Sequence, residues 1–109
     1  MKILVTMCVA EHSAQLHQIF NEEGVTAFWE TDARGFNLSG KKEHRIDNWF
    51  ADKKRPINST ISFVWVTEVQ ARVILARMNR CNSDSENSEA AFAFTLEPED
   101  FLAQGKLSF

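Results

Sequence analysis

Twice in 109 residues the hydrophobic period switches from two to about 3.6 and back to two, and this alternation restricts the possible folds more than any other feature of the chain. Residues 2–10 read as a strand, with Ile3, Val5, Met7 and Val9 on one face and Leu4, Thr6, Cys8 and Ala10 on the other. Both faces are largely apolar, as in a strand covered on both sides. From Ser13 to Glu23 the spacing becomes helical, with Leu16, Ile19 and Phe20 at i, i+3 and i+4. Ser13 is placed to cap the start of this helix, and Gly24 to close its end in a positive-φ conformation. A second strand over about 26–36 alternates Ala27, Trp29, Thr31 and Ala33 with Phe28, Glu30, Asp32 and Arg34.

The plan then repeats. Residues 60–66 are aromatic and β-branched, as strands prefer. Thr67 to Gln70 has the spacing of a capping box, opening a helix that runs to about Arg80, where Arg77 and Arg80 suit the negative pole of the dipole. A fourth strand over about 90–96 sets Phe92, Phe94 and Leu96 against Ala91, Ala93 and Thr95, and the tail from Pro98 reads as holding one short helical turn. Strand–helix–strand, twice, is the α+β, ferredoxin-like βαβ-βαβ plan: a four-stranded antiparallel sheet with two helices in a single domain spanning residues 1–109. Right-handed crossovers put both helices on one face. The other face then has no cover within the chain, although strand one is apolar on both sides, strand three sets Val64 and Val66 opposite Phe63 and Trp65, and strand two sets Trp29 opposite Phe28. Each such side chain left wet forgoes roughly 1.5–3 kcal/mol, which favours closing that face against copies of the same chain.

Composition narrows the function classes. A formal charge of −3 and a pI near 5.6 oppose nucleic-acid binding, and the aromatic-basic pattern of RNA-binding sheets is absent. No apolar run approaches the roughly 18 residues of a membrane span, so no insertion into a membrane is expected. Met1-Lys2-Ile3-Leu4-Val5 turns polar too soon to start a signal peptide. Cys8 and Cys81 form no CxxC motif or disulfide framework, which makes the reducing cytoplasm the expected compartment.

One connection stands out by length. Residues 37–58 carry Lys41, Lys42, Arg45, Lys53, Lys54 and Arg55 against Glu43, Asp47 and Asp52, a net of +3 that leaves −6 on the rest of the chain. A solvated loop would account for the charges but not for Trp49 and Phe50, adjacent large aromatics that call for a surface to meet. Loops of this length are usually functional, and these eight residues, Lys41, Lys42, Arg45, Trp49, Phe50, Lys53, Lys54 and Arg55, are the candidate partner-binding set.

The run Gly24-Val25-Thr26-Ala27-Phe28-Trp29-Glu30-Thr31-Asp32-Ala33-Arg34-Gly35-Phe36 ends its strand in Thr-acid-x-basic-Gly-Phe just before the long loop. In this it resembles the PII nitrogen-regulatory superfamily, most sharply over 24–36 and in element order over residues 1 to about 81. The resemblance implies a homotrimer and a non-enzymatic signalling role. It also implies a long loop that touches a transporter or enzyme, and a small-effector site at the loop's base between subunits, usually for an adenine nucleotide. The ligand-binding candidates are Arg34, Gly35, Phe36, Asn37 and Ser62. Arg supplies a planar fork for phosphate or carboxylate, and Gly lets a ligand approach the backbone. The chain departs from the family in four places. Asn37-Leu38-Ser39-Gly40 replaces the usual Gly and Gln, no Tyr is present, and the Arg-rich C-terminal element is missing. The segment Asn82 to Glu89 is acidic where the family is Gly-rich and basic. Carboxylates repel polyphosphate, so the expected nucleotide is weakly held and depends little on a triphosphate.

An alternative reading, a trimeric metal-sensing or metal-tolerance protein, draws on Cys8 and His12, a soft donor and an imidazole near the end of the first strand. No HxxxH or CxxC spacing supports a preformed site, and core packing is the favoured account of Cys8. No cofactor is called for. Nor does any triad, paired-carboxylate or phosphate-loop pattern point to catalysis.

Overall fold

A computed structural model describes residues 1–36, 38, 56–84, 91–103 and 106–108. Its elements are β1 (Lys2–Val9), a 3-10 turn (Ala10–His12), α1 (Ser13–Glu22), β2 (Phe28–Gly35), β3 (Ile57–Val66), α2 (Glu68–Asp84), β4 (Phe92–Leu96), β5 (Phe101–Ala103) and β6 (Lys106–Ser108). The main sheet has four strands in the order β2-β3-β1-β4, every pairing antiparallel. This is the expected βαβ-βαβ arrangement.

The register separates the two faces. Leu4 lies opposite Val64 and Cys8 opposite Thr60, on the face that α1 and α2 cover. There Leu16, Ile19 and Phe20 of α1 and Ala71, Ile74 and Met78 of α2 close a buried core with Leu4, Cys8, Val64 and Val66. Phe28 joins from β2, its ring 5.0 Å edge-on from Phe20. On the opposite face Trp29, Phe63, Val5 and Phe94 form one row across all four strands. Val5 is buried between its neighbours, whereas Trp29 is 67%, Phe63 46%, Phe94 39% and Leu96 50% exposed. The face without helices is therefore aromatic and left uncovered by the chain's own helices.

Local signals set most boundaries. Gly24 has φ +82°, and its amide bonds the Asn21 carbonyl while Val25 N–H bonds that of Phe20, the paired bonds of a Schellman ending. The Thr67–Gln70 capping box forms in both directions: Gln70 N–H donates to Thr67 Oγ1 at 3.1 Å, and Thr67 N–H donates to Gln70 Oε1 at 2.9 Å. Four expectations need correction. Ser13 does not cap α1, because the chain enters the helix through the 3-10 turn and the Ser13 hydroxyl bonds backward to the Ala10 carbonyl at 2.9 Å. α2 continues past Arg80 to Asp84, so Arg77 is no longer at its end and forks instead to Glu22, the last residue of α1, and to Glu23 just beyond it. β3 begins at Ile57, taking the last two residues of the connection expected over 37–58. The tail is a β5–β6 hairpin rather than a helical turn. In it Leu102 pairs with Leu107 and Ala103 with Lys106, antiparallel.

Candidate functional site

Past the end of β1 the chain enters the 3-10 turn, Ala10–His12. A cavity of about 560 Å³ lies there, lined by Ala10, Asp32, Ala33, Arg34, Asn58 and Ser59, a volume within the range of small-molecule sites. Its walls are the end of β2 and the start of β3, held together by register: Arg34 pairs with Asn58 and Ala33 with Ser59. These strands are the two stems of the long connection. Pairing between positions 24 residues apart in sequence brings the site together.

Arg34 is exposed, its guanidinium carbon 5.8 Å from the centre of the Phe36 ring. This cation–π contact steadies the side chain and leaves the N–H fork for a ligand. Asp32 shares the face of Arg34 two residues earlier in the strand. Ser59 Oγ donates to the carbonyl of Ile57 at 3.1 Å. No described helix is long and apolar enough to cross a membrane.

The structure distributes the sequence candidates unevenly. Arg34 lines the cavity. Gly35 pairs with Ile57 at the strand end, and Phe36 is exposed beside Arg34. Ser62 lies further along β3, opposite Glu30 and Thr6, and is buried beneath the helices away from the cavity. Asn37 and the loop residues Lys41, Lys42, Arg45, Trp49, Phe50, Lys53, Lys54 and Arg55 lie outside the described residues. Asp32, Asn58, Ser59 and Ala10 are cavity residues beyond the candidates that the sequence offers. The alternation that places Asp32 beside Arg34 is present in the sequence, but the register that adds Asn58 is not.

Cys8, one of the two metal-donor candidates, lies in β1, and His12 ends the 3-10 turn. The Cys8 side chain faces the core, where burial, and secondarily the charge of Glu30, pushes its thiol from 9.0 up to about 11. A thiol held protonated at neutral pH is a poor metal ligand and a poor nucleophile. Among the described residues no three His, Cys, Asp or Glu side chains converge.

Neither protein-family models nor curated proteins match the sequence. Solved structures do. A PII-like signalling protein of Thermus thermophilus superposes with a TM-score of 0.57 at 18% identity, over 87% of this chain and 82% of that one. CPII from Thiomonas intermedia, in a structure with ADP, AMP and acetate bound, superposes with a TM-score of 0.57 at 12% identity, over 86% of this chain and 81% of that one. The chain has the PII-like fold. In the PII-like frame the cavity occupies the base of the connection between β2 and β3, with Arg34 as its cation.

Proposed function

We propose that this chain is a non-enzymatic PII-like signalling protein. It binds a small effector, an adenine nucleotide, in the cavity at the base of its long connection, and it acts on a transporter or enzyme through residues 37–58. One observation carries the reading: the cavity lies between the two stems of that connection and presents Arg34, in a fold shared with a protein that holds ADP and AMP. The open aromatic face of the sheet supports assembly into a homotrimer, because burying Trp29, Phe63, Phe94 and Leu96 against copies recovers roughly 1.5–3 kcal/mol per side chain.

The test is isothermal titration calorimetry with AMP, ADP, ATP and cyclic AMP on the wild type and on Arg34→Ala. Binding of at least one nucleotide, lost by tenfold or more in the variant, is the expected result. Heat with Cu²⁺ or Zn²⁺ and none with any nucleotide would transfer support to the metal-sensing alternative.

A further inference from the structure

Among the described residues β2 is an edge strand, paired with β3 alone, and its end is the first stem of the long connection. It meets α1 through Phe28 and Glu30. The Phe28 ring lies 5.0 Å from that of Phe20 and 4.9 Å from the His17 imidazole, and His17 Nε2 lies 2.5 Å from Glu30 Oε2. Glu30 shares its face of β2 with Asp32 and Arg34, so the pair ties the strand to α1 just before the cavity. Both side chains are partly exposed, at 37% and 39%, and protons reach them from solvent. An imidazole changes charge between about pH 5 and 8. Protonated, it gives the carboxylate a charge-assisted hydrogen bond; neutral, it gives a weaker one. The neighbouring charges leave Glu30 as its partner. On α1 the positions three and four residues from His17 carry no charge. Along β2 the next group on that face is Asp32, a carboxylate acting in the same sense as Glu30, and the β3 positions in register with these two, Ser62 and Thr60, are uncharged. Cys8 of β1 stays protonated up to about pH 11, and Arg77 of α2 is held by Glu22 and Glu23.

We infer that His17 and Glu30 form a pH-sensitive clasp on the β2 stem, closed when the imidazole is protonated and slack when it is neutral. The clasp concerns the strand itself and stands whether or not the cavity takes a nucleotide. Hydrogen–deuterium exchange of the full chain, read by mass spectrometry at about pH 6 and about pH 8, tests it, with rates corrected for the intrinsic pH dependence of amide exchange. In the wild type the peptide holding residues 28–35 should lose about threefold in protection from the lower pH to the higher. The peptide holding β4, at the far edge of the sheet, should change by less than about 1.5-fold. In His17→Gln and in Glu30→Gln, with circular dichroism verifying the fold, β2 should lose its pH dependence and follow β4. A pair that merely held structure would instead lower protection equally at both pH values and leave the trend in place. Equal changes in β2 and β4 of the wild type, or a trend that survives in His17→Gln, overturn the clasp.

Discussion

Cys8 shows how position in the sheet determines chemistry. Its neighbour across the strand, Thr60 on β3, and the overlying core exclude water from the thiol and hold it protonated up to about pH 11. The native state thus keeps a proton that the unfolded chain loses near its ordinary 9.0, so Cys8 destabilises the fold as pH rises from 9.0 to about 11. A thermal-melt series should show the melting temperature falling across that interval, and falling less in Cys8→Ala. Alkylation followed by mass spectrometry at pH 8 should label Cys8 on the order of 100-fold more slowly in the native protein than in urea, because reaction follows the thiolate. Equal rates would place the thiol at the surface. Thr6 and Ser62, opposite each other in register, behave differently: both hydroxyls are buried and neither has a hydrogen-bond partner among the described residues. Removing an unsatisfied buried hydroxyl without changing its shape is close to neutral or favourable. Thr6→Val should therefore hold or raise stability by about 1 kcal/mol in denaturant unfolding, whereas a clear loss would reveal a partner for the hydroxyl.

Between elements, one side chain links the two helices. Gln70 completes the capping box of α2 and at the same time donates through Nε2 to the carbonyls of Glu23 and Gly24, both at 3.2 Å, where α1 ends. Gln70→Ala removes both roles and should cost about 1–2 kcal/mol of unfolding free energy, whereas a loss below about 0.3 kcal/mol would show that the link is ornamental. Two turns further along α2, Arg77 holds Glu22 at 2.6 Å and Glu23 at 2.8 Å, and its hydrogen bond keeps the Glu22 carboxyl below the ordinary 4.5. Stability from this pair is complete above pH 4.5 and is lost as pH falls through the lowered value, so Arg77→Gln should flatten the acid limb of the melting profile. The box and the Gly24 ending are legible in the sequence because each is a local pattern of a few residues. So are the core stripe of Leu16, Ile19 and Phe20 and the alternation in each strand. The role of Arg77 is not legible there, because its partners lie more than fifty positions away. Half of the cavity is hidden for the same reason: Arg34 is visible beside Gly35 and Phe36, but Asn58 reaches it only through pairing across the long connection.

At the scale of the whole molecule, the helix-free face of the sheet should control association. Sedimentation equilibrium is expected to give about three times the 12.5 kDa chain mass, and Trp29→Lys with Phe63→Lys should yield the monomer. A wild type that remains at the chain mass at micromolar concentration would show that the aromatic face serves some other purpose. Replacing Trp49 and Phe50 by Ala should leave the stability of the assembly nearly unchanged and abolish partner binding; unfolding of the assembly would make that pair part of the core or of the subunit interface. The pairing of Arg34 with Asn58 and of Gly35 with Ile57 has a further consequence. A molecule seated in the cavity touches both strands from which the connection departs, so its affinity depends on how those stems are held. That dependence is mutual by thermodynamic necessity. A partner that grips the connection and tightens the effector tenfold must itself be gripped tenfold more tightly when the effector is present, an exchange of about 1.4 kcal/mol in each direction. Measured affinities for either one then carry information about the other, and a titration performed without the partner reports only one corner of a four-state cycle.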